Sequence, residues 1–123
     1  MIKTYKISEV ATITGLSIPT LRYYETLGLL KPVRQENNYR VFTDKELNWI
    51  DFIKRAKATG LPLTKIMTYA KLREQGHETI EERVAMLDQQ EQILHEEQSK
   101  IQVHIDFLKK KKQYYAQHMN DDV

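Results

Sequence analysis

Residues 11–24 read Ala11-Thr12-Ile13-Thr14-Gly15-Leu16-Ser17-Ile18-Pro19-Thr20-Leu21-Arg22-Tyr23-Tyr24, and their spacing decides the fold. Ser8 opens a short helix in which Val10, Ala11 and Ile13 are expected to face inward, and Gly15 supplies the turn that stops it. Ser17 is the expected N-cap of a second helix that tolerates Pro19 in its first turn and ends at Gly28. Small Ala11 permits a close helix crossing, and Leu21 with Tyr24 pack the second helix onto the first. This is a helix-turn-helix. Its outward residues are then Ser17, Pro19, Thr20, Arg22, Tyr23 and Thr26. Hydroxyls near a helix N-terminus suit phosphate, Arg22 suits guanine or phosphate, and Tyr23 offers a hydroxyl and an apolar ring.

Downstream the period changes. Pro32 begins an extended piece, Asn37-Asn38 suit a left-handed turn, and Tyr39-Arg40-Val41-Phe42 reads as the returning strand of a small hairpin. Arg34, Tyr39 and Arg40, with Lys31 nearby, give this wing the groups that grip a phosphate ridge. Thr43-Asp44-Lys45-Glu46 is a capping box for a third helix with an apolar stripe of Leu47, Ile50, Phe52, Ile53 and Ala56, closed by Gly60. Pro62 opens a fourth, carrying Leu63, Ile66, Met67, Ala70 and Leu72 and ending near Gly76.

Thr79-Ile80-Glu81-Glu82 is a second capping box, followed by a long stretch without Gly or Pro. Within it Ile80, Leu87, Leu94, Ile101, Leu108 and Tyr115 recur every seven residues, with Val84, Glu91, Gln98, Ile105 and Lys112 between them. That is a coiled-coil heptad register, on a helix that spans roughly 55–60 Å at 1.5 Å per residue. Such a stripe needs a partner strand, and the chain contains no second one, so the expected partner is another copy. Ile80, Val84, Leu87, Leu94, Ile101, Ile105 and Leu108 are the expected dimerisation residues. The domains are therefore expected at 1–75 (DNA-binding head), 76–118 (dimerisation helix) and 119–123 (tail).

Net charge is only +2, but residues 1–75 hold thirteen Lys and Arg against seven acids, whereas the remainder is acidic. Base concentrated on the folded head points to a polyanion. The chain has no cysteine, which excludes disulfides, thiolate metal sites and iron–sulfur ligation, and fits a reducing cytoplasm. Lys3, Lys6 and Glu9 interrupt any signal-peptide pattern, and no apolar run is long enough to cross a membrane.

Ser17-Ile18-Pro19-Thr20-Leu21-Arg22-Tyr23-Tyr24-Glu25, then Gly28-Leu29-Leu30-x-Pro32, resembles the recognition helix and following loop of the MerR family. Asn38-Tyr39-Arg40-x-Phe42-Thr43 is similar to that family's wing. Leu47-x2-Ile50 and Gly60-x2-Leu63-x2-Ile66 are similar to its second helical pair, and the helix from Thr79 to its dimerisation helix. The resemblance implies a mainly α fold: a winged helix-turn-helix head, a second helical pair and a long C-terminal helix forming an antiparallel coiled coil. It implies a dimer on a palindromic operator in double-stranded DNA, distorting an over-long promoter spacer so that RNA polymerase engages both elements. An effector would act through the linker at Gly76-His77-Glu78.

Relatives that sense through cysteine find no counterpart, since Phe52-Ile53-Lys54-Arg55-Ala56-Lys57 occupies the relevant helix and the chain stops at Val123. His77, His95, His104 and His118 lack metal-pair spacing, and no metal or cofactor is expected. No phosphate loop or nucleophile–base pair suggests an enzyme. The alternative is an architectural, excisionase-like winged-helix protein, against which the long heptad helix argues.

Overall fold

The computed structural model describes residues 2–119. It runs β1 (Thr4–Lys6), α1 (Ile7–Thr14), α2 (Ile18–Thr26), β2 (Val33–Arg34), β3 (Arg40–Thr43), α3 (Asp44–Ala58), α4 (Leu63–Glu74), a 3-10 turn (Gly76–Thr79) and α5 (Ile80–Gln117). The mainly helical class, with winged head, second helical pair and long C-terminal helix, is the one expected. The chain divides into two compact units, Met1–Val84 and Ala85–Val123. Of the expected tail at 119–123, all but Met119 lies outside the described residues.

In the first unit Gly15 turns the chain between α1 and α2 at φ +77°, a conformation that a side chain disfavours, and its N–H bonds the Ala11 carbonyl at 2.9 Å. Val10 from α1 and Leu21 and Tyr24 from α2 are buried. The inward partner of Val10 is Thr14 rather than the expected Ile13, which is exposed. Thr14 lies one turn after Val10, and its hydroxyl donates to the Val10 carbonyl at 2.7 Å, so its burial leaves no unpaired polar atom.

β3 is the central strand of a three-stranded antiparallel sheet, with β1 on one side and β2 on the other. Thr4 pairs with Thr43 and Lys6 with Val41, while Arg34 pairs with Arg40. The β2–β3 hairpin turns at Asn38, whose φ of +66° matches the left-handed turn read from the sequence. Strand β1 was not anticipated.

The core continues through Leu29, Leu30 and Phe42 into Trp49, Ile50, Ile53 and Ala56 of α3, then Leu61, Ile66 and Ala70. Trp49 belongs to the stripe that faces α4. Its indole N–H donates to the Leu29 carbonyl at 2.8 Å, and its ring stacks on Phe52, which in turn stacks on Tyr69 of α4. The Arg73 guanidinium lies 4.3 Å from the centre of the Trp49 ring. These contacts fasten the second helical pair to the head.

The two sequence-read capping boxes fare differently. At α3 the Glu46 carboxylate accepts from the Thr43 N–H at 2.8 Å and from the Thr43 hydroxyl. Before α5 the buried Thr79 hydroxyl instead faces back, bonding the Leu72 and Gly76 carbonyls while accepting from the Arg83 guanidinium at 3.1 Å. Arg83 also donates to the Gly76 carbonyl at 2.9 Å. The competing acceptors are carbonyls left open at the end of α4 and in the following turn, and they take the hydroxyl from its capping role.

α5 runs for 38 residues without a buried side chain, and all but its first five residues belong to the second unit. Leu87, Leu94, Ile101, Ile105 and Leu108 are all exposed, between 38% and 59%.

Partial burial opposes ionisation of Glu46, but the hydrogen bonds from Thr43 outweigh it and hold the carboxyl below its usual value. A lowered carboxylate pKa contributes stability above the unfolded-state value, and that stability is lost as pH falls through the folded-state value. Denaturant unfolding from neutral to acidic pH should therefore show a shallower acid loss in Glu46→Gln than in the wild-type protein. Parallel pH curves would contradict this role.

Candidate nucleic-acid interface

The N-terminus of α2 is organised by its own hydroxyls. Ser17 caps the helix, its Oγ accepting from the Thr20 N–H at 3.2 Å, and the two side-chain oxygens lie 2.8 Å apart. Pro19 occupies the first turn, where its missing N–H costs no helical bond. Ser17 and Thr20 thus set where the helix begins. One turn on, Arg22 and Tyr23 are exposed, Tyr23 at 53%, while neighbouring Leu21 and Tyr24 are buried. The phenol oxygen of Tyr24 accepts from Lys57 at 3.2 Å, which anchors the recognition helix to α3.

The wing meets this helix through one carboxylate. Glu25 on α2 accepts from Arg34 Nη2 of β2 at 2.9 Å with one oxygen, and from Arg40 Nε of β3 with the other. Arg34 also donates to the Asn38 carbonyl at 3.0 Å, closing the wing turn onto its own strand. The pairs are only partly exposed, so the charge-assisted bonds hold better than a solvated surface pair. Tyr39, at the end of this turn, is 69% exposed and is no hairpin core residue.

Arg22, Arg34, Tyr39 and Arg40 line one open cleft of about 1010 Å³, together with Lys6 from β1. Sequence reading named four of these five and missed Lys6, which the pairing of β1 with β3 brings across from the chain terminus. Ser17, Pro19 and Thr20 lie outside the cleft lining, at the start of α2. Lys31 is drawn elsewhere, into a salt bridge with Glu74 of α4. Glu25 was also missed as a functional residue. Its signal was its isolation, for it is the sole acid between Glu9 and Glu36.

The arrangement suits a phosphate backbone. Guanidinium groups and a phenol flank the outward face of α2, and the anchoring of Arg34 and Arg40 by Glu25 limits the side-chain entropy those two lose on binding. Among the described residues no group of three or more His, Asp or Glu side chains could hold a metal ion, and no helix is long and apolar enough to cross a membrane.

Residues 5–72 match the description of the MerR HTH family regulatory proteins, and residues 47–110 that of the MerR DNA-binding region. An uncharacterised HTH-type transcriptional regulator of Haemophilus influenzae is 34% identical across 91% of this chain and 84% of its own length. The regulator AdhR of Bacillus subtilis is 37% identical over 72% of this chain and 64% of its own. Among solved structures, HiNmlR, described as a MerR family regulator lacking the sensor domain and bound to promoter DNA, superposes with a TM-score of 0.73 at 33% identity, covering 93% of this chain and 87% of its own. A putative MerR family regulator of Listeria monocytogenes gives 0.78 at 31% identity, covering 94% and 88%.

Glu25→Gln keeps the shape but removes the negative charge that pairs with Arg34 and Arg40, leaving both guanidinium charges uncompensated. Binding to random DNA at low salt should tighten, while preference for the operator over random DNA should fall by about 1–3 kcal/mol. An unchanged preference in a competition titration would show that the bridge does not position the wing.

Proposed function

The chain belongs to the MerR family of helix-turn-helix transcriptional regulators, DNA-binding proteins and not enzymes, and from that premise we propose that it works as a homodimer that distorts promoter DNA. Two heads bind the halves of a palindromic operator. The recognition helices set the register through Arg22 and Tyr23, with Ser17, Pro19 and Thr20 presenting the start of α2 to phosphate. The wings grip the flanking backbone through Arg34, Tyr39 and Arg40. RNA polymerase is the further partner, and the cytoplasm the compartment.

The observation that carries this reading is α5, whose heptad line of Leu87, Leu94, Ile101, Ile105 and Leu108 stands in water. With Ile80 and Val84 it is the surface a second copy would cover, in an antiparallel coiled coil. Holding two heads at a set separation lets phosphate contacts supply the deformation energy of the spacer, of order 1–6 kcal/mol for a strong smooth bend. An effector would act through the turn Gly76–Thr79, and cysteine chemistry plays no part because the chain has none.

Arg22→Ala should weaken specific binding by roughly 1–3 kcal/mol, whereas Tyr39→Ala should reduce bending more than it changes sequence preference. Mobility of circularly permuted operator fragments reads the bend, and equal bending by Tyr39→Ala would remove that residue from the mechanism. Leu94→Lys should give a monomer with weak half-site binding, and a dimeric mass by light scattering would contradict the role of the seam.

A further inference from the structure

We propose that Thr79 and Arg83 are positioning residues for promoter distortion. They clamp the first turn of α5 to the end of α4, and the clamp makes the two heads accept a single half-site spacing. The inference rests on the distorting dimer proposed above and names what keeps its heads from rocking.

The junction between the two helices offers little restraint of its own. Gly76 turns the chain at φ +86°, and Gly76–Thr79 form one short 3-10 turn. Such a turn leaves carbonyls at the end of α4 in need of partners. The Thr79 hydroxyl supplies one, reaching the Leu72 carbonyl at 2.5 Å and the Gly76 carbonyl at 3.0 Å. Thr79 is only 3% exposed, so water does not compete for these bonds.

A single hydroxyl proton cannot fully satisfy two carbonyls, and Arg83 completes the arrangement. Its Nη2 donates to the Gly76 carbonyl at 2.9 Å and its Nε to the Thr79 oxygen at 3.1 Å. The fork of a guanidinium spans carbonyl and hydroxyl at once, and its charge strengthens both bonds. Sequence explains why it turns back. Arg83 is the only Lys or Arg from Glu81 to Glu97, among six acids, yet no acid stands three or four residues from it. Those positions are Thr79, Ile80, Met86 and Leu87, so no helical ion pair draws the guanidinium away.

The clamp lies wholly inside the first compact unit, which ends at Val84. α4 is itself held to the head, through Tyr69 stacked on Phe52 and Arg73 over the Trp49 ring. Arg73 directly follows Leu72, so the clamped carbonyl adjoins the residue that grips the core aromatic. A path of contacts therefore runs from the head core to the first turn of α5, where the heptad line begins at Ile80 and Val84. Without the clamp, the heads of a dimer could settle on half-sites at several separations.

The test uses full-length protein and an operator that the wild type selects from random duplexes. That operator is then rebuilt with one or two base pairs added or removed between its half-sites. Wild type should prefer its own spacing by about tenfold or more over a one-base-pair change. In Arg83→Met and in Thr79→Val the preference should fall to about threefold or less, with a smaller bend in circularly permuted fragments. Thr79→Ser keeps the hydroxyl and should behave as wild type. A smaller folded fraction lowers affinity for every spacing alike, so the ratio reads geometry and not stability. The double variant should discriminate no worse than either single one, because the two side chains act as a unit. Wild-type discrimination in Arg83→Met or in Thr79→Val would overturn the clamp, and a further loss in the double variant would overturn its joint action. A wild-type protein that binds its operator without bending it would instead overturn the distortion on which the inference rests.

Discussion

Every apolar side chain of the heptad line along α5 stands in water, and that is the constraint on which the rest depends. A helix of 38 residues that buries none of its side chains draws little stability from propensity alone. The proposed pairing covers the line, and it converts a monomeric DNA reader into a two-headed one. Deformation of DNA needs that second head, because a single head can move with the duplex instead of straining it.

Within the head a smaller constraint acts in the same direction. Glu25 binds Arg34 and Arg40 at once, so the wing and the recognition helix present one surface. The core beneath is continuous from Val10 through Phe42 to Ile66, so a force applied at the wing is transmitted to α3 and α4. The aromatic stack of Trp49, Phe52 and Tyr69 completes that path.

Much of this was legible in the sequence because it depends on local rules. Gly15, the Ser17 cap, the Asn38 turn and the seven-residue apolar period each fix nearby backbone, and each appears where the residues placed it. What escaped depends on contacts between distant segments. Strand β1 is three residues long and carries Lys6, with nothing in Thr4–Lys6 to announce a partner at Arg40–Thr43. The Glu25 bridge joins positions nine and fifteen residues apart, through geometry that exists only once the wing has folded back. Thr79 fits a capping box by spacing, yet nearby carbonyls compete for its hydroxyl. Ile13 failed for a simpler reason, since the helical period from Val10 points to Thr14, whose hydroxyl the backbone can satisfy.

The account predicts that the unit acting on DNA holds two chains. Native mass spectrometry of the full-length protein titrated against its operator duplex tests this most directly. Two chains per duplex at every ratio, with no populated one-to-one species, is the predicted result. A one-to-one complex that forms with the same affinity and bends the duplex equally would contradict it.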